Sequence, residues 1–197
     1  MSNITSRRLF LAGSAAAFGL WSAPAMAFST AKAETLIGNV VSDINRIISS
    51  GKPESAMLRD FEKIFAKYAD GARIGQLVLG PASRAATAAQ RKNFAKAYQT
   101  YISRKYGRRF REFIGGSIEI QGAKAVKSFY EVTALAKLSG EAPFKLQFIV
   151  ADKNGRFIDI KIEGISLIKA ERTEIGSMLD KRKGNIDQLI ADLMATG

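Results

Sequence analysis

The hydrophobic residues of this chain change their period sharply at Gly115-Gly116. From Thr30 to Phe113 they return every three or four positions, the spacing of one face of an α-helix. From Ser117 to Leu167 they return every second position, the spacing of one face of a β-strand. After Leu167 the helical spacing resumes. Each element therefore has one apolar side to bury, and the segregated periods predict an α+β fold. In it a twisted antiparallel sheet of about four strands is covered by six or seven helices.

Local signals set the boundaries. The first helix spans Thr30 to Ser50, with Leu36, Ile37, Val40, Val41, Ile44 and Ile47 on one face. Gly51 ends it and Pro53 opens a second helix carrying Met57, Phe61, Ile64, Phe65 and Tyr68. Asp70 caps a short third helix that stops at Gly80-Pro81. Thr87 and Gln90 have capping-box spacing, which starts a helix near Ala88 that runs to about Phe113, with Gly107 as a point of bending or breaking. Two helices close the chain, Leu167 to Lys181 and Ile186 to Met194.

Parity selects the turn at Asp152-Lys153-Asn154-Gly155-Arg156. A two-residue Asn-Gly loop would set Val150 against Asp159 and mix the faces. A three-residue loop with Gly155 left-handed in a bulge pairs Val150 with Ile158, Phe148 with Ile160 and Leu146 with Ile162. The second register is predicted, because it keeps every apolar residue on one side.

Residues 1–27 read as a cleaved signal peptide. Ser6-Arg7-Arg8, followed by Phe10-Leu11, matches the address of the twin-arginine exporter of folded proteins, and Ala25-Met26-Ala27 is an A-x-A cleavage site. Residues 28–197 then form one domain: a mainly helical part to 114, the sheet from 115 to 167, and C-terminal helices from 168. No later apolar run is long enough to span a bilayer, so the expected product is soluble and outside the cytoplasm.

The chain has no cysteine and no histidine. Disulfides, a Cys nucleophile, an imidazole base, a Ser-His-Asp triad and an ordinary zinc or copper site are all excluded. No metal or cofactor is expected, and an enzyme is the weaker class. Paired acids such as Asp159 and Glu163 remain, but they share the outer parity of their strand with Lys161 between them, which suits a solvated face.

The net charge is +12, and the leader holds two of the arginines and no acid. Arg104, Arg108 and Arg111 recur at i, i+4 and i+7 beside Lys105 and Arg109. This stripe is either a solvated helix face or an electrostatic surface for anionic lipid or an acidic partner. Nucleic acid is not an expected partner of an exported protein.

The apolar faces also carry two readings. They form a filled core, or the layers fail to close and leave a cavity. Ala134 and Ala136 beside Phe144, Leu146 and Phe148, and the many aromatics of the helical half, lean towards a cavity. Periodicity fits both.

The stretches YADGARIGQLVLG, ATAAQRKNFAKAYQTYISRKY, IKIEGISLI and GNIDQLIADL occur in that order. Together they resemble the MlaC, or toluene-tolerance, family of periplasmic phospholipid carriers. The resemblance implies a cone-shaped core like that of the nuclear transport factors, with an apolar pocket, and no enzymatic activity. It implies phospholipid as ligand, held by its acyl chains and exchanged between two partners. One is an inner-membrane lipid ABC transporter complex with its substrate-binding ring; the other is an outer-membrane lipoprotein complex. On this reading Tyr130, Val132, Ala134, Phe148, Ile160 and Ile162 line the pocket from the sheet, and Leu77, Phe94, Tyr98 and Phe110 line it from the helices. Arg104, Lys105, Arg108, Arg109 and Arg111 form the partner or headgroup surface.

The chain departs from the family pattern at Ala82-Ser83-Arg84, where many members carry an aromatic residue, and at Gly155-Arg156-Phe157, where many carry Trp. A related branch accompanies hopanoid synthesis, which keeps a polycyclic lipid open as ligand. An adaptor with a filled core, acting only through its basic surface, is the other alternative.

Overall fold

The computed structural model describes residues 28–109, 114, 116–138 and 140–195. Residues 1–27, read above as a signal peptide, and Phe110, Arg111 and Phe113 lie outside the described residues. Among those described, seven helices and five strands make an α+β fold.

Helix α1 (Thr30–Ile48) starts at Ser29, whose side chain accepts a hydrogen bond from the Lys32 amide. It buries Ile37, Val40, Val41, Ile44 and Ile47 as one stripe. Gly51 takes the left-handed φ of 65° that turns the chain into α2 (Glu54–Tyr68), with Pro53 just before its first turn. Helix α3 (Gly71–Leu79) is capped by Asp70, whose carboxylate accepts from the Arg73 amide at 3.1 Å. A single-turn α4 (Ala82–Ala85) follows, which the sequence pattern does not reveal.

Helix α5 (Ala88–Gly107) opens on a complete capping box. The Thr87 amide donates to Gln90 Oε1 at 3.0 Å, and the Gln90 amide donates to Thr87 Oγ1 at 3.1 Å. It ends at Gly107 and not near Phe113, so the break considered at that glycine is the real terminus. There α5 passes so close to α2 that an added Cβ would stand 2.6 Å from Leu58 and 3.2 Å from Phe61.

The sheet is an antiparallel meander in the order β1 (Ser117–Val126), β2 (Phe129–Lys137), β3 (Phe144–Ala151), β4 (Phe157–Ile162) and β5 (Ile165–Ser166). The fifth strand is only two residues long and lies in the Glu-Gly-Ile-Ser motif. Val132 pairs with Phe148, which pairs with Ile160; Ala134 pairs with Leu146, which pairs with Ile162. The pairs of Phe148 with Ile160 and of Leu146 with Ile162 are the predicted ones. The third predicted pair is replaced: Val150 lies opposite Phe157, not Ile158.

The cause is the turn itself. The Ala151 amide donates to the Arg156 carbonyl at 2.8 Å, which closes a loop one residue longer than expected. Gly155 is left-handed at φ 59°, as predicted, but the extra residue is absorbed as a bulge at Ile158.

Helix α6 (Leu167–Lys181) is capped by Ser166 and packs on β4, while α7 (Ile186–Ala195) packs on α5. Helix α1 lies across β1 and β2. The main core therefore fills the space between α1 and the first half of the sheet, and continues between α5, α3, α6 and α7.

Candidate functional site

The second half of the sheet is covered differently. Between β3 and β4, with Ile118 of β1, on one side and α1, α2 and α5 on the other lies a cavity of about 460 Å³, within the size range of small-molecule sites. Phe144, Leu146, Phe148, Ile160 and Ile162 rise from the strands. Val40, Val41 and Ile44 of α1 and Phe61, Ile64 and Phe65 of α2 face them, and α5 contributes Ile102, Ser103 and Tyr106. The exposed Arg109 and Glu141 join this wall and mark its solvent end.

The small residues of β2 explain why the gap lies there. Ala134 and Ala136 allow α1 to settle directly on the strand, so that they and Val132 are fully buried. Phe144, Ile160 and Ile162, on the same face but farther across the sheet, are only half-buried.

Of the residues read from the sequence as lining, Phe148, Ile160 and Ile162 meet in this wall. Val132 and Ala134 share its sheet face but are sealed beneath α1. Tyr130 lies at the far end of β2, where its hydroxyl donates to the Phe28 carbonyl and its ring meets Phe28 edge-on at 5.3 Å. Leu77 is on the opposite side of the sheet, in a separate cleft with Ile149, Ile158 and Ile168. Phe94 and Tyr98 stack at 5.9 Å inside the core beneath α5, and Phe110 is outside the described residues. The residues of α1 and α2 in the wall were visible in the sequence as apolar faces, but nothing local says which half of the sheet each face covers.

The basic stripe divides in the same way. Arg109 belongs to the cavity wall, and Arg108 pairs with Glu54 at 3.7 Å. Arg104 is half-buried on α5, and Arg111 is outside the described residues. Lys105 turns towards α6, with Nζ 2.8 Å from Glu171 and a second contact to Glu174.

That ion pair belongs to a network behind the wall. Tyr106 donates to Glu171 at 2.8 Å and Tyr101 to Glu174 at 2.6 Å. Burial, with the hydrogen bond to Glu171, pushes the Tyr106 hydroxyl up to about 12. Burial and the bond to Glu174 push Tyr101 up to about 12 as well. Burial works against the charge of Lys105, but its hydrogen bonds to the two glutamates outweigh it and raise its pKa. Hydrogen bonds from Lys105 and Tyr101 hold Glu174 below the ordinary glutamate value.

The acids considered for catalysis have structural roles. Asp159 accepts from Ser166 Oγ at 2.6 Å and from the Ile168 amide at 3.1 Å, fixing the start of α6. Glu163 accepts from the Lys145 amide. No group of three or more acids among the described residues is placed to hold a metal. The arrangement suits the enclosure of an apolar chain while a polar group stays at the charged mouth.

A family model described as MlaC protein matches residues 38–195. Among solved structures, the chain is similar to a phospholipid-binding protein from Ralstonia solanacearum, determined in complex with a phospholipid. The identity is 19%, the match covers 85% of this chain and 99% of that one, and the TM-score is 0.65. At this identity the likeness is one of fold.

Proposed function

The chain belongs to the MlaC family, and on that premise we propose that it is a phospholipid carrier working in the periplasm. The observation that carries the reading is the cavity: apolar walls from sheet and helices, with Arg109 and Glu141 at its solvent end. Acyl chains would lie against Phe148, Ile160 and Ile162, and the headgroup would stay at the mouth. The phospholipid in the Ralstonia neighbour supports the choice of ligand.

Energetics set the manner of transfer. Burying acyl chain is worth about 0.8 kcal/mol per CH₂, so two ordinary tails gain on the order of 20 kcal/mol before ordering costs. Release into water is then very slow. The lipid moves only when a partner offers an equally apolar path, which gives the two expected docking complexes their role. One is the inner-membrane lipid ABC transporter with its substrate-binding ring, and the other is the outer-membrane lipoprotein complex. The twin-arginine leader would deliver the protein already folded, with the cavity formed.

The test is transfer between vesicles. Delipidated protein should move a fluorescent phospholipid from donor vesicles once a partner complex is added to the acceptors. Failure to remove any phospholipid from the donors would contradict the carrier reading.

A further inference from the structure

Ser103 is the polar exception in the cavity wall. Its residue is 6% exposed and its Oγ has no hydrogen-bond partner. Buried hydroxyls are normally paired. In a helix the easy partner is a carbonyl one turn earlier. Thr35 bonds in this way to Ala31 at 2.9 Å, and Thr173 to Lys169 at 3.2 Å. Thr100, on the same helix as Ser103, donates to Glu62 at 2.5 Å.

Two other buried oxygens among the described residues lack a hydrogen bond, and neither faces this cavity. Glu131 Oε1 still has Lys124 at 2.9 Å. Glu171 Oε2 belongs to a carboxylate already held by Lys105 and Tyr106. Among the described residues, Ser103 alone presents an unpaired hydroxyl in the apolar wall.

Its position along α5 says what it would meet. Ser103 and Tyr106 near the end of α5 and Arg109 just beyond it all line the cavity, a stripe of lining residues that runs to the mouth. The Tyr106 hydroxyl is committed to Glu171, which leaves Ser103 and Arg109 as the donors of the stripe. At the helical rise, Ser103 stands about 6 Å inward of the C-terminal end of α5, beyond which Arg109 lies. A diacyl phospholipid that enters tails first, with its phosphate at Arg109, carries its ester carbonyls a few bonds inward of that phosphate.

We propose that Ser103 Oγ donates a hydrogen bond to an ester carbonyl of the bound lipid, so that the cavity selects acyl-ester lipids over ether-linked or ester-free ones. The inference rests on the carrier reading and names the group by which the ligand is read. The Oγ is itself closed off in the empty cavity, and a turn of the side chain to another staggered rotamer brings it to the incoming acceptor.

The experiment uses the exported chain stripped of lipid and mixed with vesicles of equal parts diacyl and dialkyl phosphatidylethanolamine of matched chain length. Bound lipid is extracted and quantified by mass spectrometry. The wild type should take the diester about three- to tenfold over the diether, the ratio that one neutral hydrogen bond supports. Ser103→Ala should lose the diester advantage and bring the ratio near unity while diether uptake is unchanged, and Ser103→Thr should restore the preference. Equal uptake of the two lipids by the wild type would overturn the inference and leave the carrier reading standing. So would a preference kept by Ser103→Ala. Uptake of neither lipid would overturn both. If Ser103→Ala failed to fold, the wild-type ratio would still decide.

Discussion

Lys105 reaches across from α5 to place its Nζ 2.8 Å from the carboxylate of Glu171 on α6, a residue only 2% exposed. The pair ties α6 to the helix that supplies Ile102, Ser103 and Tyr106 to the cavity. Removing one partner of a fully buried ion pair costs about 3–5 kcal/mol. The Lys105 side chain is 31% exposed, so solvent screening reduces the loss to about 1–3 kcal/mol. Lys105→Met should lower the stability measured by urea unfolding by that amount. Glu171→Gln should cost less, because Lys105 keeps Glu174.

The same network makes stability sensitive to alkali. Tyr101 and Tyr106 ionise near 12 in the folded protein against an ordinary value of 10. Folding therefore favours their protonated forms. Their contribution is complete below about pH 10 and is lost as pH rises through 12. An ultraviolet titration should show phenolate forming late in the native protein and at the ordinary pH in urea. Glu174 gives the opposite limb: its contribution is present above the ordinary glutamate value of 4.5 and is lost as pH falls through its lower folded value.

Ile160→Glu and Val132→Trp separate the cavity from the core around it. Ile160 is in the cavity wall, so a carboxylate there should abolish lipid retention while the helical circular dichroism stays unchanged. Val132, fully buried beneath α1, has no space to fill. Val132→Trp should destabilise by about 1–3 kcal/mol through overpacking, with lipid lost only as far as folding is lost. Lipid retained by folded Ile160→Glu would remove this wall from the binding site.

Gly155 holds a left-handed φ of 59°, and a Cβ there would stand 2.5 Å from the ring of Phe28. Gly155→Ala should cost about 1–2 kcal/mol from the backbone alone. It should also push Phe28 off Tyr130, exposing the start of α1 to proteolysis. Unchanged urea stability and protease resistance would show that this corner does not anchor the N-terminal segment.

These contrasts mark where the sequence was readable. The Thr87–Gln90 capping box was legible because both partners sit within one helical turn. The pairs of Phe148 with Ile160 and Leu146 with Ile162 were legible because parity leaves one register with a single apolar face. The bulge at Ile158 was not: it depends on where the hydrogen bond between Ala151 and Arg156 closes the turn, and that choice changes no parity farther along the strands. The cavity was half legible. Val132 and Phe148 face the same way and pair directly, yet one is sealed and the other lines the space. The difference is the cover from α1, a tertiary contact that no local pattern records.

Export has its own test. Arg7-Arg8→Lys-Lys should leave the chain uncleaved in the cytoplasm if the twin-arginine exporter carries it. Normal secretion of that variant would assign the chain to the unfolded route.

The most direct measurement is native mass spectrometry of the protein purified from its own cells, with the released small molecules identified. A discrete adduct of one or two diacyl phospholipids is expected, carrying the acyl chains of the membrane it came from. A hopanoid adduct would preserve the carrier and contradict the ligand. Protein that arrived clean and also failed to take lipid from vesicles would contradict lipid carriage altogether.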